Sequence, residues 1–155
     1  MRRSDLGLLV LRVGAGSILA AHGAPKLFGG AERVPPSWLE RLMGSNYKQA
    51  WASSGPENFG SALAKMDVPY PMTSARLSGV AELGGGVALA LGVATPLTAT
   101  VIAVNMSVAV AKAHWKVGLY GQGGYEFALS LGLAAVAVGI AGPGAISLDR
   151  LVGRA

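Results

Sequence analysis

Residues 6–24 read LGLLVLRVGAGSILAAHGA, an apolar run interrupted only by Arg12 and His22. With its flanks it approaches the ~20 apolar residues that a helix needs to cross a bilayer. Its richness in Gly, Ala and Ser weakens a water-exposed helix but suits close packing between membrane helices. Three further runs follow. Residues 77–94 hold Glu82, residues 97–113 hold Asn105 with Lys112 near the end, and residues 127–142 carry Ser130 as their one polar side chain. None alternates with period two, so membrane strands are not expected.

With flanking residues the expected spans are about 6–28, 74–94, 96–113 and 125–142, separated by a loop of about 29–73. The turn Ala94-Thr95-Pro96 is so short that its two helices must be antiparallel neighbours. The expectation is an all-α integral membrane protein: one membrane domain over residues 1–155, an antiparallel four-helix bundle with a long, partly helical loop between helices 1 and 2. Arg12 inside the first run and Pro25 after its small residues argue that this segment stays as a helix and is not a cleaved signal.

Composition agrees. Of 155 residues, 52% are hydrophobic and 14% charged, well below the ~25% charge of soluble domains. Cysteine is absent, which excludes disulfide scaffolds, thiol catalysis and iron–sulfur ligation. Two histidines leave too few ligands for an ordinary zinc centre, so no metal is expected. The net charge of +5 is scattered along the chain and suits anionic lipid better than nucleic acid.

The loop between the first two runs is long enough to have structure of its own. Ser37-Trp-Leu-Glu40 reads as a capping box after Pro35-Pro36, and Gly44-Ser45 should divide the following segment into two short helices. Asn58 reads as the cap of another helix, displaying Phe59, Leu63 and Met66. Trp38 and Trp51 are expected to be buried in the bundle mouth or the membrane interface.

Depth arguments select the candidate site. Four antiparallel spans put both termini on one face, the near face. At 1.5 Å per residue, Arg12 lies ~10 Å below it and His22 ~24 Å down, while Glu82 sits ~12 Å inside the far face. His22, Lys26, Glu82, His114 and Glu126 then gather in the far half, and Arg12 and Asn105 form a smaller near-half pair. An ionisable group in a membrane helix costs about 2.5–3.5 kcal/mol at the centre and is usually functional. Glu82 is too short to snorkel, so it must be paired or protonated, with Lys26 or His22 as partner. Glu82, His22 and Lys26 are the candidate catalytic residues. Arg12, Asn105, His114 and Glu126 are the candidate ligand-binding residues. The run Gly84-Gly85-Gly86 lacks the strand-to-helix turn of a phosphate loop and is expected to serve helix packing.

Arg12, His22-Gly-Ala-Pro-Lys26, Ala81-Glu82-Leu-Gly-Gly85, Gly92 with Thr95-Pro96, Asn105-Met106 and Gly142-Pro-Gly-Ala-Ile-Ser-Leu-Asp149 occur in that order. The pattern resembles the DoxX family of small four-helix membrane proteins, related to the small subunit of thiosulfate:quinone oxidoreductases. The resemblance implies a multi-pass protein of the bacterial inner membrane, with both termini on the cytoplasmic side. It suggests a membrane subunit of an oxidoreductase complex that interacts with quinone through the far-half polar group. No covalently bound cofactor is expected, so electrons would come from a partner protein or a soluble reductant. Expected partners are the lipid bilayer and other proteins of a membrane complex, with association into a homo-oligomer left open. The alternatives are a non-catalytic adaptor that organises partner proteins, and a small transporter.

Overall fold

The computed structural model describes residues 2–153, and every element among them is helical. The helices are α1 (Arg3–Phe28), α2 (Ser37–Met43), α3 (Ser45–Ser53), α4 (Pro56–Lys65), α5 (Pro71–Leu91), α6 (Thr95–Ala109), α7 (Glu126–Ala141) and α8 (Leu148–Leu151). A π-helical turn, Val110–His114, prolongs α6.

The four long helices, α1, α5, α6 and α7, coincide with the four apolar runs. Their register shows that neighbours are antiparallel. Gly16 meets Gly86 and Ala90, Gly23 meets Leu83, and Lys26 and Leu27 meet Gly79, so α5 runs backwards along α1. Gly85 meets Ile102 across α5 and α6. Gly132 meets Met106 and Gly139 meets Ala99 across α6 and α7. His22 rests on Phe127, with ring centroids 5.2 Å apart, and closes the circuit from α7 to α1. The two ends of the described chain lie at the same end of the bundle, where the Asp5 carboxylate accepts the Ala145 N–H at 3.1 Å.

Glycine is what lets α1 and α5 touch. A Cβ on Gly16, Gly23 or Gly86 would run into the backbone of the opposite helix. Small residues that allow such approach are the usual means of helix association where apolar burial supplies no driving force. Gly86 of the glycine run therefore packs as expected; Gly85 faces Ile102, while Gly84 is open. The core is accordingly fine-grained: Ala15, Leu19, Leu89, Ile102, Met106, Ala128, Leu131, Ala135 and Val138.

Among the described residues, two helices are long and apolar enough to cross a membrane, Arg3–Phe28 and Thr95–His114. Only 28% and 22% of their apolar windows are buried. Helix α7, at 16 residues, is apolar but shorter.

The loop holds α2, α3 and α4, with α2 and α3 divided at Gly44, which takes φ +88°. Two expected caps are not made. Pro36 occupies the N-cap of α2 and Ser37 is already helical, because the fixed φ of proline sets the start one residue early. Asn58 lies inside α4 and donates back to the carbonyls of Ser53 and Ser54, since Pro56 opens that helix. Trp51 is buried, but Trp38 is 61% exposed and does not enter the bundle mouth. Trp51 is drawn in by its backbone: its carbonyl accepts the Gly30 N–H at 3.0 Å beside the close approach of Gly29 and Gly55.

Candidate functional site

Glu82 is 3% exposed, in the middle of α5. Gly23 opposite it lets α1 come close enough for Lys26, one turn further on, to reach the carboxylate. Lys26 Nζ lies 2.6 Å from Glu82 Oε1. Asn105 Nδ2 donates to the same oxygen at 3.2 Å. Glu82 Oε2 is buried and accepts no hydrogen bond among the described residues. The Lys26 ammonium also stands 4.5 Å from the centre of the Phe59 ring on α4, a favourable cation–π distance. Three long helices and the loop thus meet at one ion pair.

The placement of Asn105 corrects the depth reading that grouped it with Arg12. In the antiparallel register Ile102 faces Gly85, so Asn105, three residues on, comes level with Glu82. Arg12 belongs elsewhere. It is fully buried at the near end, where Nη2 donates to the Ile146 carbonyl and the guanidinium fills the space above Gly92. Asp149 supplies opposing charge there. The Asp149 carboxylate itself accepts the backbone N–H groups of Ala94 and Thr95 and the Thr95 hydroxyl, each at 2.8 Å, and its own N–H donates to the Gly92 carbonyl at 2.9 Å. The segment after α7 is a clasp on the turn between α5 and α6, and Arg12 is part of that clasp.

The remaining candidates make no hydrogen bond to the cluster, although His22 lies within electrostatic range of Glu82 and Lys26. His22 faces α7 and is exposed beside Phe127, so Lys26 alone of the two pairs with Glu82. His114 ends the π turn, and its Nδ1–H donates to the Gly123 carbonyl at 2.8 Å. Glu126 is exposed at the start of α7. Phe59 is the site residue that sequence reasoning did not place: its helical spacing with Leu63 and Met66 was visible, but nothing local indicates what that face covers.

Beside the cluster, α5 and α6 leave a groove of about 820 Å³, with Lys26 and Asn105 on its wall and Phe59 and Leu63 of α4 above it. Leu77, Val80, Leu97 and Val104 line it and are each more than half exposed, so the groove opens sideways from the bundle. Lys112 and His114 border its far end. A donor-rich polar point on a long apolar channel is suited to a lipophilic molecule with an accepting head. No group of three or more His, Cys, Asp or Glu that could hold a metal ion occurs among the described residues.

Outside the bundle, Tyr47 on α3 donates its hydroxyl to the Ala21 carbonyl at 3.0 Å and ties the loop to α1. Burial pushes its phenol above the ordinary tyrosine range.

Among the described residues, an all-helical fold with two membrane-length apolar helices, glycine-mediated helix contacts and a buried Lys–Glu–Asn cluster suggests a small membrane protein. The chain belongs to the DoxX family, whose model matches residues 7–115. Membership points to a membrane protein of a kind often associated with oxidoreductases. The matched stretch contains Arg12, His22, Lys26, Glu82, Asn105 and His114, and leaves Glu126 and Asp149 outside it. No curated protein and no solved structure matches the chain.

Proposed function

We infer that this protein is a membrane subunit of an oxidoreductase complex that interacts with quinone at Glu82, Lys26 and Asn105. In this reading α1, α5, α6 with its π turn, and α7 all cross the bacterial inner membrane as one domain, with both termini cytoplasmic. The outward-facing apolar residues of all four support it, among them Val10, Val80, Val104 and Ile140. The bilayer is then a partner, and electrons reach the site from another protein of the complex or a soluble reductant.

The observation that carries the reading is the unequal carboxylate of Glu82. One oxygen takes two donors and the other, buried, takes none among the described residues. A buried acceptor without a partner is costly, by about 1–3 kcal/mol, and handling of a proton or ligand is one explanation that accounts for it. The quinone supplies two-electron, two-proton chemistry when bound. Lys26 and Asn105 hold the carboxylate in place, and Oε2 holds or releases a proton.

Glu82→Gln keeps the shape while removing the titrating proton. It is expected to insert and assemble normally and to lose quinone-linked turnover; retained turnover in a well-folded variant overturns the reading. A second reading, the non-catalytic adaptor, draws support from Val34, Trp38 and Leu42, each at least 61% exposed on the loop, where a partner or headgroups would cover them. Under it, Glu82→Gln perturbs assembly alone.

A further inference from the structure

Packing uses only part of the glycine run in α5. Gly86 abuts α1 and Gly85 abuts Ile102, but a Cβ on Gly84 would meet nothing beyond Val80 of its own helix, at 3.9 Å. Glycine inside a helix weakens it relative to alanine, and helix contact does not account for this one. Gly84 instead lines the groove between α5 and α6, with Ala81 and Ala88 in the same row. The row is a floor without branched side chains. Val101, Val104 and Val108 form the opposite wall on α6 and lead along that helix to Lys112.

The rim at the Lys112 end is basic. Lys112 is exposed there and His114 borders the same end, while no carboxylate lines the groove among the described residues. Lys26 is already paired with Glu82, whereas Lys112 has no carboxylate partner among the described residues. Trp115, next along the chain, is 63% exposed and stacks on Tyr125 at 5.5 Å. Exposed Trp and Tyr at the end of an apolar helix mark headgroup depth. From Lys112 back to Val101 is ~16 Å of helix, close to half of the ~30 Å hydrocarbon core. One leaflet's acyl layer covers that distance.

We propose that the α5–α6 groove is a binding site for an anionic phospholipid, with the phosphate on Lys112 and one acyl chain over Ala81 and Gly84. The chain lies against Val104 and Val101, which the contact of Gly85 with Ile102 sets at this level. The Lys26–Glu82 pair is neutral overall, so the chain passes it without facing a net charge. The second chain stays in the surrounding bilayer, because the groove opens sideways at Val80 and Val104. A cation at the membrane surface favours an anionic lipid about five-fold. The site rests on the reading of α5, α6 and α7 as membrane spans and on no role for Glu82.

The test places the full chain in phosphatidylcholine nanodiscs containing a minor share of phosphatidylglycerol with a diazirine in one acyl chain. The control carries the same diazirine chain on phosphatidylcholine. Cross-links are mapped by peptide mass spectrometry and referred to Ile140, which is 83% exposed on α7 and outside the groove. Relative to Ile140, the groove walls on α5 and α6 should be labelled about five-fold more strongly by phosphatidylglycerol. Lys112→Gln should abolish that preference. Gly84→Leu fills the open floor and should cut groove labelling by either lipid about ten-fold, with Ile140 labelled as in the wild type. Equal groove labelling by the two lipids makes the occupant ordinary boundary lipid and overturns the proposal. So does a preference that survives Lys112→Gln, or full groove labelling in a folded Gly84→Leu. Lys112 is exposed, so its variant decides the matter even where Gly84→Leu misassembles. Ile140 left unlabelled by both lipids overturns the membrane placement of the helices and this site with it. Turnover enters none of these measurements, so loss of the Glu82 reading is registered separately.

Discussion

The guanidinium of Arg12 occupies the space that a side chain on Gly92 would need, and the two residues lock α1 against the turn between α5 and α6. Gly92 also takes φ +67°, a left-handed conformation that costs other residues about 1 kcal/mol or more. Gly92→Ala should therefore lower stability by about 2–4 kcal/mol, combining backbone strain with displacement of a buried cation. Unfolding in a detergent series measures it, and a loss below 1 kcal/mol would contradict the geometry.

Asp149 carries a larger share of the same end. Its carboxylate accepts three hydrogen bonds from Ala94 and Thr95. Asp149→Ala should cost about 3 kcal/mol, whereas Thr95→Val, which removes one of the three, should cost about 1 kcal/mol. The same unfolding assay ranks them; equal effects would show that the hydroxyl alone matters.

Lys26→Met leaves the buried Glu82 carboxylate without its cation. Breaking a buried pair from one side costs about 3–5 kcal/mol, so folded yield should fall sharply. Lys26→Met combined with Glu82→Gln should restore it, because no charge is then left unpaired. Failure of the double variant to recover would mean that Lys26 acts through packing against Phe59 instead.

Tyr47 gives a pH signature outside the spans. Burial raises its phenol above the usual value of about 10, so its contribution to stability is complete below that pH and fades as pH rises through the higher folded value. The difference in absorbance titration between wild type and Tyr47→Phe reports this group and should have its midpoint above that of free tyrosine. Tyr47→Phe should also free the loop for proteolysis around α3, since the bond to the Ala21 carbonyl is lost.

The four long helices could be read from the chain because continuous apolar runs of bilayer length have few other uses. Glu82 and Lys26 were legible for a similar reason: a short carboxylate deep in such a run needs a partner, and a cation lay within reach. Asn105 was misassigned because depth counted from a presumed span end is uncertain by a turn, whereas the register set by Gly85 and Ile102 is not. His22 shares a run with Lys26, but rotation about α1 turns its ring to Phe127. Ser37 and Asn58 misled as caps because neighbouring prolines, Pro36 and Pro56, claim the helix starts. The groove itself was invisible, since it depends on the tertiary spacing of α5 and α6 and on where α4 comes to rest.

The clasp imposes an order on biogenesis. Asp149 is synthesised only after all four long helices, so the amides of Ala94 and Thr95 lack this acceptor while the earlier part of the chain is already in place. A translation product stalled before Ser147 would carry the complete Lys26–Glu82–Asn105 cluster on an unfastened hairpin. Such a nascent chain has every residue of the site and an open seam at the opposite end.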